Sequence, residues 1–188
     1  MKKSKSLKKV ILLAVLGLMP LVYGCGGGGD ATKVSDENLV AHQCDNGKWG
    51  FADVSAVTYD AIAKAKDADE AEKIANKLTK IVINCKYDRV DVNGFKDGYA
   101  RVELNDKWGF VDKTGKEVVS LKYNEVKNFS EGLAAVRLDD KWGFVDNTGK
   151  EVIKLQFDAV RNGFSDGKAL IYSDGGQFSI DKNGNKVE

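Results

Sequence analysis

The sequence predicts a mainly β protein: an array of three-stranded antiparallel meanders with a period of about 34 residues, arranged as an open, solenoid-like stack, with a helical insertion in the first repeat. Three observations carry this. The hexapeptide Lys107-Trp108-Gly109-Phe110-Val111-Asp112 returns as Lys141-Trp142-Gly143-Phe144-Val145-Asp146. An earlier copy, Lys48-Trp49-Gly50-Phe51-Ala52-Asp53, stands upstream, and the three copies hold all three tryptophans. Around them the apolar residues alternate: Ala134, Val136 and Leu138 against Ala135 and Arg137, then Ile153, Leu155 and Phe157 against Lys154 and Gln156. A period of two is the mark of half-buried strands. Helical repeats can share the 34-residue spacing, so the alternation decides the class.

The first 24 residues read as a secretory signal peptide. Lys2, Lys3, Lys5, Lys8 and Lys9 form a basic start, Val10 to Val22 an apolar run broken by Gly17 and Pro20, and Gly24-Cys25 a small-residue exit. The run is short of the ~20 apolar residues of a spanning helix. Val22-Tyr23-Gly24-Cys25 resembles the bacterial lipobox. That resemblance implies a diacylglyceryl group on Cys25, cleavage after Gly24, and a protein anchored to membrane lipid rather than spanning it. Gly26, where inner-membrane retention in enteric bacteria uses Asp, implies the outer membrane, with the domain periplasmic or surface-exposed. Gly26 to Gly29 impose almost no backbone restriction, so residues 25–34 read as a tether and 35–188 as the domain. Five of the 29 basic residues lie in the leader and all 28 acidic ones lie beyond it. The mature chain is therefore mildly acidic and lacks the basic face that nucleic-acid binding needs.

Each unit is read from its joints. Asn105-Asp106 and Asp139-Asp140 sit between two strands at hairpin spacing. Asp112-Lys113-Thr114-Gly115 and Asp146-Asn147-Thr148-Gly149 are turns whose glycine takes a left-handed position. A connection carrying Tyr123 or Phe157, then Phe129 or Phe164, leads onward. The glycines Gly50, Gly109 and Gly143 within strands point to close approach by another group, and a large side chain such as Tyr123 is the expected neighbour. In the first unit the chain enters an insertion, residues 55–80, before Ile81 rejoins the third strand. Asp67-x-x-Glu70 resembles a capping box, and Ala71, Ile74, Ala75 and Leu78 follow helical spacing. The insertion reads either as a cap on the first unit or as a partner-binding element.

The run KWGFVDKTGKEV, then LKYNEV, then FSEGLAAVRLDDKWGF resembles the WG-repeat family of bacterial proteins, over residues 46–188 apart from the insertion. The resemblance implies a repeated β architecture, frequent on exported proteins, without a common enzymatic activity. Leu121-Lys122 and Leu155-Gln156 stand where that family often has a proline before the aromatic.

Cys44 and Cys85 remain for the mature domain, an even pair in an oxidising compartment. A disulfide there would close a loop of roughly 40 residues and stabilise by about 2–4 kcal/mol. Repeat alignment, however, puts the two on the outer strands of one meander, roughly 9–10 Å apart in a flat sheet, which leaves two separate thiols as the other reading. His42, the sole histidine, aligns with Val102 and Val136 and reads as a half-buried strand residue. No nucleophile–base pairing or paired-cysteine metal spacing is evident, so no catalytic, cofactor or metal residue is assigned and the chain reads as non-enzymatic. Asp181-Lys182-Asn183-Gly184-Asn185 has a faint calcium-loop pattern, but an aspartate capping its own turn explains it. The tryptophans read chiefly as core. The resulting expectation is a membrane-tethered module binding a protein partner; a glycan or cell-wall binder stacking sugars on tryptophan is the alternative.

Overall fold

A computed structural model of the chain describes residues 38–63 and 65–187. The signal peptide, Cys25 and the 25–34 tether lie outside the described residues. Four meanders follow one another. The first is β1 (Leu39–Gln43), β2 (Trp49–Asp53) and β3 (Lys80–Tyr87), with α1 (Tyr59–Ile62) and α2 (Ala68–Leu78) between β2 and β3. The second contains β4 (Arg89–Val90), β5 (Tyr99–Leu104), β6 (Lys107–Asp112) and β7 (Glu117–Tyr123). The third contains β8 (Glu125–Val126), β9 (Leu133–Leu138), β10 (Lys141–Asp146) and β11 (Glu151–Phe157). The fourth contains β12 (Ala159–Val160), β13 (Ala169–Ser173), β14 (Gly176–Ile180) and β15 (Lys186–Val187). All pairings are antiparallel.

The later sheets have four strands where three were expected. After each third strand the chain runs on for one residue, then lays a two-residue strand against the next meander, as β4 does on β5. The hairpins turn as their residues allow: Asn105 and Asp106 both take left-handed φ, 53° and 60°, as a two-residue turn of primed type requires.

The core lies between units rather than within them. One cluster joins Phe51 and Ile83 of the first unit to Val90, Phe95 and Val102 of the second. Another joins Phe110, Val119 and Tyr123 to Val126, Phe129 and Val136. The last joins Phe144 and Ile153 to Phe164, Ile171 and Ile180. The motif phenylalanine of each unit meets one from the following connection, with centroids 4.9 Å apart for Phe51–Phe95, 4.7 Å for Phe110–Phe129 and 4.9 Å for Phe144–Phe164. Turn glycines supply the other contact. A Cβ on Gly115 would sit 3.2 Å from Ile83, and one on Gly149 2.7 Å from the Val118 carbonyl, each on the preceding unit's third strand. A unit that buries its apolar face only against its neighbour is the logic of a repeat array.

Among the described residues the first unit has no predecessor, and the insertion replaces the turn that would face one. Asp67 caps α2, its carboxylate accepting the Glu70 amide at 2.8 Å, while Glu70 accepts the Lys66 amide at 2.9 Å. The buried apolar side chains of the two helices, Ile62 and Ala75, belong to none of the three clusters. The buried side chains of the insertion thus stand apart from the clusters that join the units.

The turn aspartates bind their own loops. Asp112 Oδ1 accepts the Thr114 amide (2.9 Å), the Thr114 hydroxyl (2.6 Å) and the Lys116 amide (3.0 Å), and Asp146 repeats the set. Asp181 accepts the Asn183 and Asn185 amides at 2.9 and 2.8 Å, which makes its segment a capped turn of the same kind. The Thr148 hydroxyl holds the Asp146 carboxyl below its ordinary value. Burial pushes Asp112 up, but the bonds from Thr114 and Lys116 outweigh it. A carboxylate lowered by folding contributes stability above its unfolded value, near 3.8, and loses it as the pH falls through the folded one. Through these carboxylates the urea midpoint should therefore decline below about pH 4. Asp146→Asn should make the acid limb shallower.

Candidate functional site

The glycine of the motif is where each meander folds over itself. Trp108 pairs with Tyr123 and Phe110 with Val119, so a two-residue step along β6 spans a four-residue step along β7. The surplus passes across Gly109: a Cβ there would meet the Val119 carbonyl and lie 2.9 Å from both Ser120 C and Leu121 N. Gly143 and Gly50 are crossed in the same way by Ile153–Leu155 and Ile83–Cys85. The group over the glycine is therefore main chain, not the expected side chain. Tyr123 lies beside it as the register partner of Trp108, and is buried.

This crossing corrects the flat-sheet separation of the cysteines. Passing over Gly50, β3 swings toward β1, and Cys44 and Cys85 are joined by a disulfide with Cα atoms 6.0 Å apart, within the range a bridge accepts. The Cys85 sulfur also rests 3.7 Å from the His42 carbonyl. His42 pairs with Gly50 as Val102 does with Gly109 and Val136 with Gly143. Partial burial lowers the His42 pKa against an opposing pull from Asp45, so its imidazole is neutral at pH 7.

The first unit differs from the others at its outer edge as well. In the second, the Asp88 and Asp91 amides donate to the Glu103 and Arg101 carbonyls at 2.8 and 3.0 Å, while the Asp88 carboxylate accepts the Asn105 amide at 2.8 Å. In the third, Asn124 and Lys127 donate to Arg137 and Ala135, and the Asn124 side chain accepts the Asp139 amide. In the fourth, Asp158 and Arg161 donate to Tyr172 and Leu170, and Asp158 accepts the Asp174 amide. A buried valine follows two residues after each Asx, at Val90, Val126 and Val160. The facing ion pair is charge-swapped between units, Arg89 with Glu103 but Glu125 with Arg137, so the strand position persists while the chemistry on it changes. By register the corresponding groups of the first unit are the Ala41 and Gln43 carbonyls and the Asp45 amide. Among the described residues no strand pairs with that side of β1. The sequence carries the signal for this clasp, Tyr/Phe-Asx-x-Val, at Tyr87, Tyr123 and Phe157, but two residues are too few to announce a strand by periodicity.

The tryptophans are not equivalent. Trp142 is buried, with Lys127 and Arg137 over its ring at 5.2 and 6.0 Å. Trp108 is half-buried under Arg89 at 5.6 Å. Trp49 is half-buried too, and among the described residues no cation lies over it. The motif lysine ties the clasp from the inner side, Lys48 to Asp88 and Lys141 to Asp158.

Comparison with known proteins adds a family-level match. The family model described as WG containing repeat matches residues 74–108, 108–142 and 142–176, more than half of the chain. Trp49, with β1 and β2, lies upstream of the match, whereas β3, the third strand of the same meander, lies within it. No curated protein matches the chain, and no solved structure does.

Proposed function

Because the chain belongs to the WG containing repeat family, we propose that it is a non-enzymatic binding module that takes up an extended segment of a partner protein along the free edge of β1. The observation that carries this is the vacant strand position. Three units fill it with Asx-x-Val, and the first offers the same acceptors and hairpin amide with no strand on them among the described residues. Strand addition to a sheet edge gains main-chain hydrogen bonds, with alternate side chains providing selectivity. In this reading Cys25 carries the lipid anchor, and residues 25–34 hold the module to the bacterial envelope, at the outer membrane.

A fluorescent peptide copying Tyr123–Phe129 should bind the mature domain in the micromolar range. Ala41→Pro should weaken it at least tenfold, because the Ala41 amide points away from β2 and its loss leaves the β1–β2 ladder intact. Equal binding by Ala41→Pro, or no binding to either, sinks the proposal. Binding that emerges only after residues 26–36 are deleted would assign the slot to the chain's own upstream segment. The half-buried ring of Trp49 favours glycan stacking as a second reading. In the same titrations, peptidoglycan fragments that perturb Trp49 fluorescence while the peptide does not would select it.

A further inference from the structure

The crossing in the first unit brings together three donors where the other units have hydrocarbon. Register places His42, Cys44 and Cys85 at the positions of Val102, Leu104 and Leu121, and of Val136, Leu138 and Leu155. Those six residues pack in or against the two clusters that flank the second and third units. In the first unit all three change, to one imidazole and two sulfurs. A disulfide accounts for the cysteines but not for a histidine, the only one in the chain, at the third position. A ring nitrogen of His42 and both sulfurs lie within 4.8 Å of one another, and all three residues are half-buried, shielded yet reachable.

We propose that the reduced first unit is a metal site: His42, Cys44 and Cys85 together bind a thiophilic cation such as Zn2+, and closure of the disulfide releases it. Two thiolates with an imidazole suit Zn2+, a water completing the tetrahedron. With metal–sulfur bonds of about 2.3 Å, the sulfurs need only separate by side-chain rotation, since the Cα spacing of 6.0 Å already suits both states. The chemistry balances. A dithiol reductant gives two electrons and two protons to the Cys44–Cys85 bond and becomes a disulfide itself. The two thiols then release their protons as the cation binds. Reoxidation is thiol–disulfide exchange with a disulfide oxidant: the oxidant accepts two electrons from the thiolates and two protons from water, leaves as its dithiol, and the Cys44–Cys85 bond forms as the cation is expelled. His42 and Cys44 alternate along β1 with the edge groups Ala41, Gln43 and Asp45, but the test reads metal uptake alone and needs no peptide.

The mature chain, reduced with a phosphine and freed of it under argon, is titrated with Zn2+ against a chromophoric chelator, and with Co2+ to read thiolate charge-transfer bands. The reduced chain should take up one equivalent with its β circular dichroism intact, and the oxidised chain none. His42→Ala should weaken Zn2+ binding at least tenfold while the fold persists. Cys44→Leu/Cys85→Leu, which restores the residues of the other units, should fold and bind nothing. Absence of uptake by the reduced chain, loss of its β signal on reduction, or His42→Ala binding as tightly as the native chain would each overturn the proposal.

Discussion

Replacing Gly109 by alanine should cost the domain about 3 kcal/mol or more, a large effect for one methyl group. The methyl would have to occupy space already held by the main chain of β7, 2.9 Å from Leu121 N and Ser120 C and closer still to the Val119 carbonyl. A side chain in that place could rotate away; a backbone paired to β6 on either side of the crossing cannot without breaking that pairing. Relief requires lifting β7 off β6, and β7 carries Val119 and Tyr123 into the cluster shared with the third unit. The loss should therefore spread beyond one meander, lowering the urea midpoint and reducing protection of amides in β9 as well as β7. Gly176→Ala is the control, since its nearest atom would be the Ser173 carbonyl at 3.9 Å and its φ is not left-handed; it should stay within about 0.5 kcal/mol of the native chain. If Gly109→Ala behaves like Gly176→Ala, the crossing is not the constraint that keeps glycine in the motif.

The same crossing marks the boundary between what the residues announced and what they did not. Alternation such as Ile153, Leu155 and Phe157 specified strands because side chains on one face share one environment. Asn105-Asp106 specified a hairpin because those side chains tolerate left-handed φ, and Asp67 specified a helix start because its carboxylate can serve an otherwise unpaired amide. Each is a local rule. Two features escaped local rules. Arg89-Val90 and its counterparts are too short for a period, and only the returning Asx-x-Val pattern betrays them. The group over Gly109 is main chain, which leaves no residue type of its own in the sequence. Treating the meander as flat therefore overstated the distance between Cys44 and Cys85, and with it the objection to a bridge. The functional site suffers most from this, because the convergence of His42, Cys44 and Cys85 depends wholly on the crossing. The free edge of β1 became legible only when the three filled edges could be set beside it.

Opening the disulfide should have the second large effect, and the residue put in its place should decide how large. Cys44→Ser/Cys85→Ser should lose about 3–4 kcal/mol, as expected for releasing a loop of 41 residues. The hydroxyls would also stand in place of half-buried sulfur. Cys44→Leu/Cys85→Leu releases the same loop but restores the pair that closes the other crossings, Leu104 with Leu121 and Leu138 with Leu155, each half-buried against its cluster. Burying two leucines to that extent recovers about 2 kcal/mol or more, so the leucine variant should melt between the serine variant and the native chain. A leucine variant no more stable than the serine one would mean the first crossing cannot close on apolar contact alone. The difference is instructive because the first unit lacks a preceding neighbour: the second and third units are held by clusters on both sides, whereas the first has one shared cluster and the insertion. A covalent tie belongs where neighbouring units contribute least, and the proposed strand addition at β1 would exploit the same shortage of neighbours among the described residues.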